Sequence, residues 1–353
     1  MISGAFSIHH GETMKDTTLK ALESIGLSAF IPLIKLLMWE EPQKQLRHMG
    51  NNILLPAMAI VIFLGLWAAT SSQINTSLGT LPGPVQVWQQ ATVLIHEHQL
   101  EQVKKSAFYD RQEKRNIEKL ALDPNATIKT RVYTGAPTFI DQIFTSITTV
   151  SIGFLIASFI AIPLGIFCGL SQKMNNALNP IFQVFKPVSP LAWLPIVTMV
   201  VSAVYVTDDP MFAKSFVISA ITVSLCCLWP TLLNTTVGVA SVESDLINVS
   251  KVLRLHWFTH IMKIVVPSSI PMMFTGLRLS MGTGWMVLIA TEMLAQNPGL
   301  GKFVWDEFQN GSSNSLGRIM VAVLAIGLIG FMLDRLLMTA QRFVSWDKNA
   351  EIR

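Results

Sequence analysis

Charge is what this chain has least of. Asp, Glu, Lys and Arg make up 14% of its 353 residues and hydrophobic residues 51%, whereas an average soluble domain carries about 25% charged residues. A chain so poor in charge belongs in a membrane. The formal net charge of +4 is small and scattered, and no basic stripe is interleaved with stacking aromatics, which excludes nucleic acid as a partner. Cysteine is scarce as well: Cys168, Cys226 and Cys227 all fall in apolar runs, and adjacent Cys226 and Cys227 are poorly placed to bridge each other, so no disulfide framework is implied. A nucleotide site is also missing. "PGLGK" at 298–302 resembles a phosphate loop only briefly, because Gln296 stands where the first glycine is needed and Phe303 follows Lys302. The basic, apolar and small-residue order of a cleaved leader is absent before the first strongly apolar run near Leu27. The first span is therefore expected to act as an uncleaved signal.

What the chain does have is apolar length. A helix crossing the hydrocarbon layer needs about 20 mostly apolar residues, and six segments qualify, near 52–70, 143–170, 188–206, 212–230, 269–292 and 316–338. A seventh run, 22–39, is interrupted by Glu23, Pro32 and Lys35 and reads as a helix lying at the interface. Short-loop cations set the orientation. Lys173 and Lys186, then Lys251, Arg254 and Lys263, then Arg335, Arg342, Lys348 and Arg353 fall on one side, which becomes cytoplasmic, with both termini there. The opposite side carries Asp208 and Asp209 in one short loop and Lys302 in another. The loop 71–138 holds eight Lys or Arg, but loops beyond about 60 residues cross largely regardless of charge. Its middle, "EHQLEQVKKSAFYDRQEKRNIEKL", mixes both signs with pairs such as Glu101 and Lys105, as a solvated helix does. The chain thus divides into an interfacial segment 1–50, a first span with long external loop 51–138, a core 139–345 and a tail 346–353.

Between the fourth and fifth spans lies "NVSKVLRLHWFTHIMKIVVP", residues 248–267. Val242, Leu246, Val249, Leu253 and Trp257 recur as one apolar helical stripe, with Glu243, Asp245, Lys251 and Arg254 off it. The pattern predicts one amphipathic helix whose Val249 and Leu253 fasten it to the bundle, while Lys251, Arg254 and His256 face a soluble partner. Pro267 ends it and begins the next span. His256 and His260, four apart, would share a face, but no carboxylate or cysteine completes a metal set. In the fifth span, Arg278 is an intramembrane cation and hence a functional candidate, either as an attractor for an anion in transit or paired structurally with a carbonyl or with Asp334. Gly282, Trp285, Ile289 and Glu292 follow it on one face, with Glu292 about 21 Å further along the axis near the outer rim. Trp193, among Pro187, Pro190 and Pro195, is a candidate to line a cavity or to sit in an aromatic belt. Gly165 with Gly169, and Gly276 with Ser280, are small-residue contacts open to packing within one chain or between two.

The stretch 248–267 resembles the coupling loop of ABC importer permeases, with Ile264, Val266 and Pro267 at its end. Asn248, Val249 and Ser250 replace that family's Glu-Ala-Ala, and Arg254 replaces its glycine. "LPGPVQVWQ", "IGFLIASFIAIPLGIFCGL", "KPVSPLAWLPI", "WPTLLNTTVGV", "FTGLRLSMGTGWMVLIATEML" and "IGLIGFMLDRLL" follow the order of permeases in the nitrate, sulfonate and bicarbonate importer family, with an insertion near 97–137. "TEML" and "KFVWDEFQN" are more similar to its nitrate and bicarbonate branch. The resemblance implies an all-α, six-helix, type I importer permease that is not itself an enzyme and sits in a bacterial inner membrane. It implies a second permease chain in a homodimer, an external substrate-binding protein and ATPase subunits that bind the ATP and magnesium. The substrate would be nitrate first, with bicarbonate or a sulfonate as alternatives, and a gradient-driven transporter as the rival. The loop residues implicated in coupling are Val249, Ser250, Lys251, Leu253, Arg254, Leu255, His256 and Pro267. The translocation path would draw on Trp193, Arg278, Trp285 and Glu292.

Overall fold

The computed structural model describes residues 50–76, 79–123, 128, 130–206, 212–312 and 314–344. The interfacial helix expected at 22–39, the tail 346–353 and the loop carrying Asp208 and Asp209 lie outside the described residues. The described chain is almost wholly helical apart from a minimal hairpin, β1 (Asn75–Thr76) paired antiparallel with β2 (Gly79–Thr80).

After a π-helical turn at Gly50–Leu54 comes α1 (Leu55–Ser71), then, past the hairpin, α2 (Pro84–Leu122) and α3 (Phe139–Leu170). Next are α4 (Gln172–Phe185), α5 (Pro190–Val204) and α6 (Lys214–Ala240), followed by two short pieces, α7 (Ser244–Val252) and α8 (Trp257–His260). A second π turn, Ile261–Val265, runs into α9 (Val266–Ala295), and α10 (Leu300–Asn310) and α11 (Ser315–Val344) complete the chain. Four units are long and apolar enough to span a bilayer: α3, α6, α11 and the continuous run Trp257–Ala295. Helix α1 is a shorter apolar helix of 17 residues. The span expected at 188–206 is shorter than the others, because α4 and α5 form an elbow bent by 96° at residues 186–189. Pro190 marks the far side of the break, since a proline disfavours helical geometry at the residue before it and Ser189 stands at ψ 130°, while Lys186 still caps α4 in helical geometry. The span expected at 212–230 runs on to Ala240.

The centre of the bundle is α3, α6 and α9. Glycines bring their backbones together: a Cβ on Gly165 would stand 2.7 Å from Thr235, and one on Gly169 2.8 Å from the Thr236 carbonyl. Gly276 fits against Asn234 and the Pro230 carbonyl in the same way. Both small-residue contacts therefore pack helices of one chain. The order of these pairs makes α3 and α6 parallel and α9 antiparallel to them, so Leu170, Ala240 and the start of α9 share one end of the bundle.

Helix α2 is the main departure from expectation. Its 39 residues make a rod of about 58 Å, longer by more than half than the stretch 97–120 anticipated as a helix. Pro84 occupies its first turn and Gln86 accepts the Gly83 N–H at 3.0 Å. Val87 and Leu94 are buried against the core formed by α3, α9 and α11, while the part beyond Leu100 is largely exposed.

Candidate functional site

Two cavities and one exposed loop carry the polar chemistry. The cavity nearer the coupling-loop end holds about 310 Å³ between α5, α6 and α9, with the elbow closing it. Lys186, Trp193, Trp229, Asn234 and Thr283 supply its polar lining, and no carboxylate does. Aromatic stacking fixes its wall: the Phe185 ring lies 6.0 Å from Trp229 at an interplanar angle of 3°, and 5.7 Å from Trp193. Phe185 ends α4, so the same bend that turns the chain into α5 sets Lys186 at the cavity mouth. Trp193 thus lines a cavity, whereas Lys186 and Trp229 were read from the sequence only as a topology marker and an apolar residue.

At the opposite end a cavity of about 400 Å³ separates α2, the 136–139 linker, α10 and α11. Glu97, Glu101, Asp306 and Glu307 line it with Lys104, Arg318 and Gln142. Its acids are engaged. Arg318 donates to Glu307 at 2.8 Å and also pairs with Glu97, tying α2, α10 and α11 together. Tyr133 donates to Glu101 at 2.6 Å. That bond and the neighbouring Lys104 hold the Glu101 carboxyl below the usual range, and Glu101 in turn raises the Tyr133 phenol.

The expected path residues of α9 divide. Arg278 makes a two-pronged pair with Asp334 of α11, 2.9 Å from Nε to Oδ1 and 3.2 Å from Nη2 to Oδ2. Trp285 and Glu292 line neither of these two cavities. Trp285 is buried and donates its indole N–H to the Ile326 carbonyl at 3.0 Å, with Gly330 leaving room for the ring. Glu292 is fully buried rather than at an open rim. Ser146 donates to its carboxylate at 2.8 Å, the Gly301 N–H donates to Oε2 at 2.9 Å, and the Leu300 N–H donates to the Ser146 hydroxyl at 2.8 Å. Side chains at Gly299 or Gly301 would collide with Glu292 or the Ile289 carbonyl. "PGLGK" is the turn that closes over this carboxylate.

The coupling-like loop also corrects the sequence reading. The helix does not run through to Trp257: α7 stops at Val252, and the chain reverses through Arg254 at φ +48°. The Leu255 N–H bonds the Ser250 carbonyl and the Arg254 N–H the Lys251 carbonyl, both at 3.1 Å, a reversal that favours glycine at the position Arg254 occupies. Arg254, which stands where the resemblance expects a glycine, itself adopts this left-handed conformation. Val249 and Leu253 do not fasten the loop; they are 52% and 63% exposed and form an apolar ridge with Val252 and the half-exposed Leu246. The tether is Ser250, buried and 2.8 Å from His260 Nδ1, helped by Trp257 stacked on Phe167 at 6.2 Å. Leu255 is half-buried, while Lys251, Arg254 and His256 are exposed. His260 bonds Ser250 through Nδ1 and His256 stands before the first residue of α8, so the two histidines do not sit on one continuous helix. Pro267 sits in the first turn of α9.

Comparison with known proteins gives this arrangement its context. Residues 161–344 match the family described as "Binding-protein-dependent transport system inner membrane component". The nitrate import permease protein NrtB of Synechocystis sp. is 34% identical over 284 residues, covering 80% of this chain and 86% of that one. The bicarbonate transport system permease protein CmpB of Synechococcus elongatus is 33% identical over 302 residues, covering 85% and 92%. A solved chain of the MetNI methionine ABC transporter covers 59% of this chain and 96% of its own, with a TM-score of 0.49 and 10% identity. The elbow, the glycine-packed α3–α6–α9 core and the exposed loop after α6 are thus those of a member of the binding-protein-dependent transport family, an all-α type I permease of the ABC importers.

Proposed function

We propose that this chain is the membrane-spanning subunit of an ATP-driven importer of a small inorganic anion, nitrate first. ATP and magnesium are bound by partner ATPase subunits, two permease chains pair as a homodimer, and an external binding protein delivers the anion. The observation that carries the coupling role is the ridge of α7. Leu246, Val249, Val252 and Leu253 present apolar surface beside the cations Lys251 and Arg254, so that apolar anchors are ringed by charge as in protein interfaces. ATP closure moves the docked ridge, and Ser250–His260 and the π turn pass that movement to α9, whose other face is joined to α11 through Arg278–Asp334 and Trp285. In this orientation the ridge, the elbow and both termini face the cytoplasm.

Bicarbonate is the second reading. Relatives carrying the two printed activities match at 34% and 33% identity, and the bicarbonate relative covers slightly more of this chain. The two readings are separated by labelled nitrate uptake in cells lacking the chain and in cells with it restored, with bicarbonate and taurine as competitors. Restored nitrate uptake that excess bicarbonate does not inhibit supports nitrate; restored bicarbonate uptake without nitrate uptake reassigns the substrate.

A further inference from the structure

We infer that the cavity at the elbow is a transit site for a small oxyanion, which hydrogen-bonds to Lys186, Trp193, Trp229 and Asn234 before leaving on the coupling-loop side. The inference rests on the permease reading above and names the residues that touch its cargo.

The argument is one of donors and acceptors. An ammonium and an indole N–H can only donate. Lys186 and the indoles of Trp193 and Trp229 have no protein hydrogen-bond partner among the described residues, although all three line the cavity. Asn234 spends one amide N–H on the Pro230 carbonyl at 2.8 Å, which leaves the second. The Thr283 hydroxyl is committed as a donor to the Leu279 and Ser280 carbonyls at 3.0 Å, so it offers lone pairs that suit a water. No carboxylate faces the space. A set of unspent donors without acids selects against cations and for an anion with several acceptor oxygens.

Size and strength agree with passage rather than storage. At about 30 Å³ per water, 310 Å³ holds a trigonal oxyanion with part of its hydration shell. The single cation, Lys186, is exposed at the mouth, where solvent weakens its attraction. Cargo is drawn in but released.

The test uses the whole reconstituted transporter with its ATPase and binding protein. Uptake of labelled nitrate and bicarbonate is measured beside the ATPase activity stimulated by the binding protein, which reports assembly and coupling. Lys186→Glu is expected to reduce anion uptake about tenfold or more while stimulated ATPase activity stays within about twofold, and Lys186→Arg to keep most of the uptake. Trp229→Phe keeps the ring and deletes only the N–H, and should reduce uptake severalfold even if Lys186→Glu fails to assemble. Full uptake in Lys186→Glu, or in Trp229→Phe where the first variant does not assemble, overturns the transit site while leaving the permease reading intact. A wild-type complex that moves neither anion overturns the permease reading and the transit site with it.

Discussion

The two ends of the bundle solve opposite problems. The end at α2 and α10 is closed by charge that is used up: Arg318 clasps Glu97 and Glu307, Lys302 holds Asp306 at 2.6 Å, and Glu292 is sealed beneath Gly299 and Gly301. At the elbow end, Lys186, Trp193 and Trp229 line a cavity without a protein hydrogen-bond partner among the described residues. Paired charge builds a rigid rim, whereas unpaired donors beside a cavity leave chemistry for a guest. Counting charges would rank the cavity at α2 and α10 as the more functional; counting unsatisfied groups reverses the order.

The comparison breaks most severely at the Glu292 clamp. Glu292→Ala leaves the Gly301 N–H and the Ser146 hydroxyl unpaired in a buried site, at about 1–3 kcal/mol for each, and Gly301→Ala overpacks the same turn by a further amount of that order. Both should lower the thermal unfolding midpoint of the purified complex sharply. Arg318→Gln removes the ion pairs to Glu97 and Glu307, leaving the Glu307 carboxylate the Ser315 hydroxyl alone, and is expected to cost about 1–3 kcal/mol, visible as faster hydrogen exchange around Glu97 in α2 with little change in anion affinity.

At the coupling-loop end, strain and charge can be separated. A non-glycine residue in the left-handed region costs about 1–2 kcal/mol, so Arg254→Gly should stabilise the loop by about 1 kcal/mol. It also removes an exposed cation of the proposed docking ridge, and a partial loss of uptake per ATP hydrolysed is expected. Arg254→Glu adds repulsion to strain and should uncouple hydrolysis from uptake. The ratio of uptake to hydrolysis checks both. The smallest effect concerns Glu101. Its carboxyl is held low by Tyr133, so the attachment of the 130–136 linker to α2 is present at neutral pH and is lost as pH falls through that lowered value. Tyr133→Phe deletes the attachment and should leave the linker loosened at every pH, abolishing the pH dependence, as followed by limited proteolysis of the linker.

The sequence exposes the parts of this design that repeat or are dear to place in lipid. Apolar runs mark the spans, and an intramembrane Arg278 with Asp334 available in the last span marks the pair that joins α9 to α11. It hides what depends on a neighbour. The stripe through Val249 and Leu253 is the same whether the chain's own bundle or a partner covers it, and only the reversal at Arg254 turns it outward. Glu292 reads as a rim charge because hydropathy registers the carboxylate and not the space made by two glycines nearby; the glycine pair in "PGLGK" was the available signal. Trp229 is silent in sequence, because a spent indole N–H and a free one are spelled alike.

The most direct measurement is labelled nitrate uptake into proteoliposomes that contain the permease and its ATPase, with ATP inside, binding protein outside and ion gradients collapsed by ionophores. The account predicts uptake that persists without gradients and stops when a non-hydrolysable ATP analogue replaces ATP. Uptake that vanishes with the gradients and ignores the nucleotide would contradict it.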